Sequence, residues 1–219
     1  MNILVLDIGG TNVKLWKTGE TDKEKIPSSK KLTPAEMVAE VTKLTGDWKF
    51  DRVSIGYPGD VRHGHPTAEP WNLGDGWVGF DYADAFGVPT RIMNDACMQA
   101  LGSYEGGRML YLGLGTSIGS AFIYDGTIIP LAVGHLKLGH GKSIEECVNR
   151  EALDADKDGK WHKYVTEAAT ALKSAFFADY VVLGGGNTKK LEELPEGCRR
   201  GGNQNAYFGG LRMWEDVKT

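Results

Sequence analysis

The sequence is poor in cysteine: Cys97, Cys147 and Cys198 are the only three in 219 residues. An odd, scattered set builds no disulfide framework and reads as reduced thiols in a cytoplasmic protein. No apolar run reaches membrane-spanning length, so neither a transmembrane helix nor a membrane partner is expected. The chain opens on a strand pattern and not on a signal peptide. Positive charge is not in excess either. Lys and Arg number 25 against 29 Asp and Glu, a net charge of −4, so no basic field points to nucleic acid. Low-complexity tracts are missing as well. The 30 glycines exceed average usage, yet they sit in short tight turns of the kind that carry ligand-binding backbone. The apolar share of 41% is enough for a core, and the length suits one large domain or two small ones.

What is present is organised around the first strand and its turn, Ile3-Leu4-Val5-Leu6-Asp7-Ile8-Gly9-Gly10-Thr11-Asn12-Val13-Lys14. Four consecutive apolar residues closed by a turn signal predict a buried strand. Adjacent glycines let the backbone approach a ligand, and N–H groups in such a turn form a concavity suited to phosphate oxygens. Thr11 adds a hydroxyl donor. Asp7 at the strand end suits Mg²⁺ held through water, because that ion keeps most of its waters and takes one or two carboxylates. Alternation resumes at Val13 and Leu15, so a second strand follows directly. Strand, turn, strand is a hairpin, not the strand-to-helix turn of a Walker or Rossmann loop. An ordinary hairpin with a solvated Asp is the alternative.

Residues 18–31 are polar and lysine-rich and read as an edge strand or a solvated loop. Thr33-Pro34-Ala35-Glu36 is a helix start with cap, Pro at the first position and Glu reaching back. Arg52–Tyr57 is a strand that breaks at Pro58-Gly59. Residues 58–79 form a long loop in which Asn72 and Trp residues beside glycines suit a polyol: an amide for hydroxyls and an indole to cover a ring. A disordered surface excursion is the alternative. His63 and His65 lack a third ligand nearby, so no metal pair is assigned. Thr90–Met93 is a strand that delivers Asn94-Asp95 to a helix N-terminus. There the dipole favours an acid, and the acid can serve as a general base on a hydroxyl. A plain helix cap is the other reading.

Met109–Thr116 repeats the opening pattern, an apolar strand followed by a Gly and Thr turn, and Asp125-Gly126 is a hairpin turn. The chain therefore holds two similar halves, each starting with a hairpin whose turn suits phosphate. Two such turns across a cleft would clamp one nucleotide. Ser143 and Glu146 form a capping box, which leaves Glu145 as a spare acid. A first-turn acid favoured by the helix dipole is its plainer reading. Trp161, Tyr164, Val165, Ala168, Leu172 and Phe176 make a helical core face, and Asp179–Leu183 reads as the last strand.

Together these stretches resemble the superfamily of sugar kinases, actin and heat-shock chaperones. Asp7–Thr11 is similar to its first phosphate motif, Leu114–Ser120 to the second and Val181–Asn187 to the adenosine motif. Within it the chain is most similar to the ROK family of sugar kinases, in particular the polyphosphate glucokinases. That likeness also rests on Gly56–Val61, Asn72-Leu73 with Trp77, Asn94-Asp95-Ala96, Gly134-His135-Leu136, Lys160-Trp161 and Asn203–Gly210.

The resemblance implies an α/β protein of two RNase H-like (actin-like ATPase) domains with a central cleft. The N-terminal domain would span 1–106 and the C-terminal one 107–202, with a helix at 203–219 packing back on the first. It implies a kinase that moves a phosphoryl group from polyphosphate or ATP to a hexose, glucose above all. Asp95 would be the general base. Gly59, Asn72, Asn94, His135 and Glu145 would join it at the sugar. Gly9, Gly10, Thr11, Lys14, Gly115 and Thr116 would bind phosphates. Gly184, Gly185, Gly186 and Asn187 would bind the nucleotide, and Asp7 would organise Mg²⁺ through water. A homodimer is expected. Lys142, Arg150, Lys189, Lys190, Arg199 and Arg200 are candidates for a polyphosphate track, the alternative being a solvated charged face.

The chain departs from the family in three ways. Position 132 is Ala where the sugar motif carries Glu; a charged hydrogen bond of that kind is worth about 1.5–3 kcal/mol. The Cys-x-Cys-Gly zinc knuckle is absent, so no zinc is expected. The chain is also short for the family, which suggests trimmed lid segments. Ala132 motivates a second reading, a catalytically weak nucleotide- or sugar-binding sensor, against which the retained Asp95 argues. A kinase for another small hydroxylated substrate, such as a pantothenate kinase of the same superfamily, shares the first motif but not the Gly-His segment.

Overall fold

The computed structural model describes residues 1–20, 22–138, 141–202 and 204–215. Asn203 and residues 216–219 of the expected terminal helix lie outside the described residues. The chain divides into two compact units, Met1–Met98 with the segment from Ala206, and Gln99–Asn205.

In the first unit the opening hairpin is β1 (Ile3–Ile8) and β2 (Asn12–Lys17), followed by β3 (Glu24–Pro27) and helix α1 (Pro34–Thr45). Next come β4 (Arg52–Tyr57), the short hairpin β5 (Val61–Arg62) and β6 (His65–Pro66), α2 (Tyr82–Phe86), β7 (Thr90–Asn94) and α3 (Asp95–Ser103). The five main strands form one sheet in the order β3-β2-β1-β4-β7. β1 is antiparallel to β2 and parallel to β4, which is parallel to β7. The lysine-rich stretch thus supplies the edge strand β3.

β1 is buried along its whole length, as its unbroken apolar run requires. Leu4, Leu6, Ile8, Val53 and Ile55 join Met37, Val38 and Val41 of α1 in one core. Thr33 and Glu36 close the capping box at the start of α1. The alternate positions, Val5, Asp7, Ser54 and Gly56, point to the opposite face. That face receives the final helix, α7 (Asn205–Arg212). A Cβ on Gly210 would sit 2.4 Å from Val5 Cγ1, so glycine is what lets α7 lie on β1. Ser54 donates to the Gly210 carbonyl at 2.6 Å and accepts from Trp214 Nε1 at 2.9 Å.

The second unit repeats the plan with β8 (Arg108–Leu114), β9 (Ile118–Tyr124), β10 (Thr127–Leu131), β11 (Tyr180–Gly184) and β12 (Cys198–Arg200). Their order is β10-β9-β8-β11-β12, with the same pattern of antiparallel and parallel pairs as the first sheet. Asp125 (φ 47°) and Gly126 (φ 80°) both take the left-handed conformation that a two-residue hairpin turn needs. Between β10 and β11 lie α4 (Ile144–Val148), α5 (Arg150–Ala155) and α6 (Lys160–Ala175). Trp161, Val165, Ala168 and Leu172 of α6 enter the core, with Tyr164 and Phe176 partly buried beside them. One expectation is corrected. β11 is not the last strand, because β12 adds a parallel edge to it through Val181–Leu183.

Candidate active site

In the first unit the site begins at the turn between β1 and β2. Gly9 N–H donates to the Asn12 carbonyl at 3.1 Å, and Ser28 pins the turn from outside, its N–H on Thr11 O and its hydroxyl on Gly9 O. Asp7 closes β1 as a carboxylate only 4% exposed. Lys14 is its direct partner across the hairpin, and Lys14 Nζ meets Asp7 Oδ2 at 2.8 Å. Lys14, expected at phosphate, is thus engaged with Asp7.

The loop after β4 reaches back to this turn. Glu69 accepts from the Trp77 and Val78 N–H groups at 2.9 and 3.0 Å, and Tyr57 donates to Ala68 O at 2.8 Å. These contacts bring Asn72 against Gly10: a Cβ on Gly10 would lie 2.1 Å from Asn72 Nδ2. Among the described residues Asn72 Oδ1 is buried and has no hydrogen-bond partner. A buried, unpaired amide oxygen is costly and calls for an O–H or N–H donor. Of the two loop tryptophans, Trp77 is fully buried against Tyr57 at 6.2 Å between ring centroids and cannot cover a sugar. Trp71 is 71% exposed.

Asn94 and Asp95 stand where β7 passes into α3. Asn94 Oδ1 accepts from the Ala96 and Cys97 N–H groups at 3.0 and 3.2 Å, which makes it the cap of α3. Its Nδ2 donates to Gly59 O at 3.0 Å, tying the Pro58-Gly59 corner to the same place. Gly56 lets α3 press onto the sheet, for its missing Cβ would lie 2.4 Å from Met98 Cε and 3.4 Å from Asp95 Cα. Asp95 Oδ1 accepts from Ala96 N–H at 2.8 Å. Burial pushes the Asp95 carboxyl up to about 7 and the negative charge of Asp7 adds to this, while the Ala96 N–H and Lys14 oppose it. A carboxyl poised there is suited to proton transfer near neutral pH. Burial, with the charge of Asp95 adding to it, raises the Cys97 thiol to about 12, which disfavours the nucleophilic thiolate.

The second unit holds a second set of residues. Gly115 and Thr116 form the turn between β8 and β9, and Asn187 Nδ2 donates to Gly115 O at 3.1 Å. Gly184 and Gly185 are required by packing: a Cβ would meet Tyr111 Oη at 2.0 Å and Leu114 O at 2.3 Å, and Gly185 has φ 82°. Gly186 faces open space. His135 is exposed, so it is not a buried structural histidine. A Cβ on its neighbour Gly134 would lie 3.0 Å from Glu145 Oε2, which brings Glu145 to the Gly-His segment. Glu146 is spent on the capping box with Ser143. Of the basic residues, Arg199 bonds Ser103 O and Glu105, Arg200 bonds Thr188 O and Leu191 O, and Arg150 pairs with Asp154. Lys142, Lys189 and Lys190 are exposed. Among the described residues no group of three or more His, Cys, Asp or Glu is placed to hold a metal by itself. An ion that takes one or two carboxylates plus donor phosphates and water needs no such group, and buried Asp7 fits that demand.

No family model matches the chain. A relative does: the polyphosphate glucokinase of Mycobacterium tuberculosis (strain CDC 1551 / Oshkosh) is 32% identical over 215 residues, covering 86% of this chain and 78% of the relative. The chain belongs to the polyphosphate glucokinase family. A Mycobacterium leprae polyphosphate glucokinase is 30% identical over 211 residues, 85% of this chain and 64% of that protein. Solved structures carry the fold. The inorganic polyphosphate/ATP-glucomannokinase of Arthrobacter sp. strain KM matches with a TM-score of 0.78 at 24% identity, over 95% of this chain and 96% of that one. A ROK family glucokinase from Streptomyces griseus, solved with glucose and AMPPNP, matches with a TM-score of 0.76 at 16% identity, over 97% and 99%. The fold of this family member is therefore the actin-like ATPase fold of the ROK sugar kinases.

Proposed function

We propose that the protein is a phosphotransferase that phosphorylates a hexose, glucose first, with polyphosphate or ATP as donor and Asp95 as general base. The observation that carries this is the Asp95 carboxyl, held at the start of α3, raised to about 7 and within the influence of Asp7, the acid that leads into the phosphate-type turn of the same unit. Phosphoryl transfer asks a protein mainly to position the reactants and stabilise charge. Asp95 takes the proton of the sugar hydroxyl as that oxygen attacks the terminal phosphorus of the donor, and the bond from that phosphorus to the bridging oxygen breaks to release the donor shortened by one phosphate. Asn72 Oδ1, buried and unpaired, accepts from a sugar hydroxyl, while Asn94 and Gly59 fix the corner beside Asp95. The Gly9-Gly10-Thr11 turn offers N–H groups and a hydroxyl to donor phosphate. Asp7 would hold Mg²⁺ through water, and the ion, when bound, would offset phosphate charge. In the second unit Gly115, Thr116, Gly184, Gly185, Gly186 and Asn187 serve the donor, and His135 and Glu145 the sugar. The reading includes a homodimer without zinc, and the free thiols Cys97, Cys147 and Cys198 accord with a reducing cytoplasm.

A coupled assay of glucose phosphorylation, run in parallel with ATP–Mg²⁺ and polyphosphate–Mg²⁺, tests the reading and identifies the donor. Turnover with one donor or both is expected. Nucleotide binding without turnover on any hexose would favour the sensor instead.

A further inference from the structure

We propose that Lys14 is a resident counter-ion for Asp7 that a divalent cation must displace, so that the same lysine restrains the empty site and is released to the donor phosphate when the metal arrives. The inference rests on the assignment of Asp7 to the metal and goes beyond it.

Asp7 and Lys14 are opposite one another in the β1–β2 register, so their side chains emerge on one face of the sheet. The ion pair at 2.8 Å is unequal in exposure: the Asp7 side chain is 5% exposed and that of Lys14 37%. Surface ion pairs between two mobile side chains contribute little. Here one partner is a fixed, nearly dry carboxylate at the end of a fully buried strand. A buried carboxylate without a compensating charge is expensive. The partner is a flexible chain with a wet end, free to swing.

Asp7 also sits near a second acid, for its charge is felt at Asp95. Asp7 and Lys14 offset one another, and a divalent cation on Asp7 leaves that corner positive. Once the cation is on Asp7, directly or through water, the ammonium beside it is repelled and the donor phosphate becomes its best partner. The lysine lies on β2 three residues beyond Thr11 of the phosphate-type turn, and the proposal has its side chain turn from Asp7 to an anion bound there. The exchange costs metal affinity in the free protein and restores it when metal and phosphate arrive together. Metal binding is then coupled to donor binding.

The test uses Mn²⁺ as the metal probe, followed by electron paramagnetic resonance on the full chain, with inorganic tripolyphosphate as the donor-like anion. Without tripolyphosphate, Lys14→Met binds Mn²⁺ about tenfold more tightly than the native chain, equivalent to about 1.4 kcal/mol. Lys14→Arg keeps the counter-ion and stays near the native value. Asp7→Asn in the Lys14→Met background removes the gain. With tripolyphosphate the order reverses, because Lys14→Met loses its contact to the anion. Equal Mn²⁺ affinity in the native chain and Lys14→Met would overturn the counter-ion role while leaving Asp7 as the metal residue. Absence of Mn²⁺ binding in every variant, with or without tripolyphosphate, would overturn both that assignment and this inference. Circular dichroism of each variant establishes that it is folded, and Lys14→Gln replaces Lys14→Met should the latter unfold.

Discussion

At the scale of single residues, Asp95 makes two opposite demands. Its carboxyl is raised to about 7, so the proton-accepting form is present above that pH and disappears below it. Charge there also works against the fold. A carboxyl raised above its unfolded value contributes stability that is complete below about pH 4 and is lost as pH rises through about 7. Asp95→Asn is therefore expected to be more stable than the native chain at pH 8 by on the order of 1–3 kcal/mol, and to lose that advantage by pH 4. Denaturant titrations at the two pH values check it. Gly10 makes a different demand. In Gly10→Ala the new methyl would stand 2.1 Å from Asn72 Nδ2, and the amide must move. Loss of one oriented hydrogen bond predicts a rise in the sugar KM of about tenfold with folding intact. An unchanged KM would separate Asn72 from the sugar.

At the scale of elements, short segments hold the functional residues and their ends carry the positioning. α4 is one such case, where the Ser143–Glu146 box fixes the helix that carries Glu145. Ser143→Ala is expected to cost about 1 kcal/mol in chemical denaturation. α7 is another. The Arg52 and Arg91 guanidinium groups lie 4.6 and 4.5 Å from the Trp214 ring centroid, while Arg91 also bonds Met213 O. Trp214→Ala should destabilise the protein by about 2–4 kcal/mol, read from the same denaturation curves.

Much of this level was legible in the sequence. The capping boxes, the Asp125-Gly126 turn and the two apolar strand–turn repeats each follow from local chemistry. β12 was not legible, because Cys198-Arg199-Arg200 has no apolar run and its strand exists through pairing with β11. Nor was the burial of Trp77, since an indole between loop glycines has the same local pattern whether it faces a ligand or a core. The approach of Asn72 to Gly10 joins residues far apart in sequence and rests on Glu69 and Tyr57, whose roles only tertiary structure discloses. Arg199 and Arg200 looked like free charge, and each is tied to backbone carbonyls instead.

At the scale of the whole molecule, the chain builds the same five-stranded plan twice. Each copy places a glycine turn after its first strand, and the copies then diverge: the first keeps Asp7, Lys14 and Asp95, the second keeps Asn187 on Gly115. A ligand that engages only the folded chain raises its stability by mass action. An ATP analogue or tripolyphosphate with magnesium at 100 times its Kd is expected to add about 2.7 kcal/mol, an upward shift in Tm of about 5–11 °C for a chain of this size. The larger of the two shifts at equal free concentration indicates the preferred donor. The central claim, that Asp95 is the base of a hexose kinase, is tested most directly by kcat/KM for glucose from pH 5 to 9 in the native protein and Asp95→Asn. The account predicts a native profile that rises through about pH 7 and a variant that lacks this rise and is at least 100-fold slower at pH 8–9. A variant within tenfold of the native rate, with the same rise through pH 7, would contradict it.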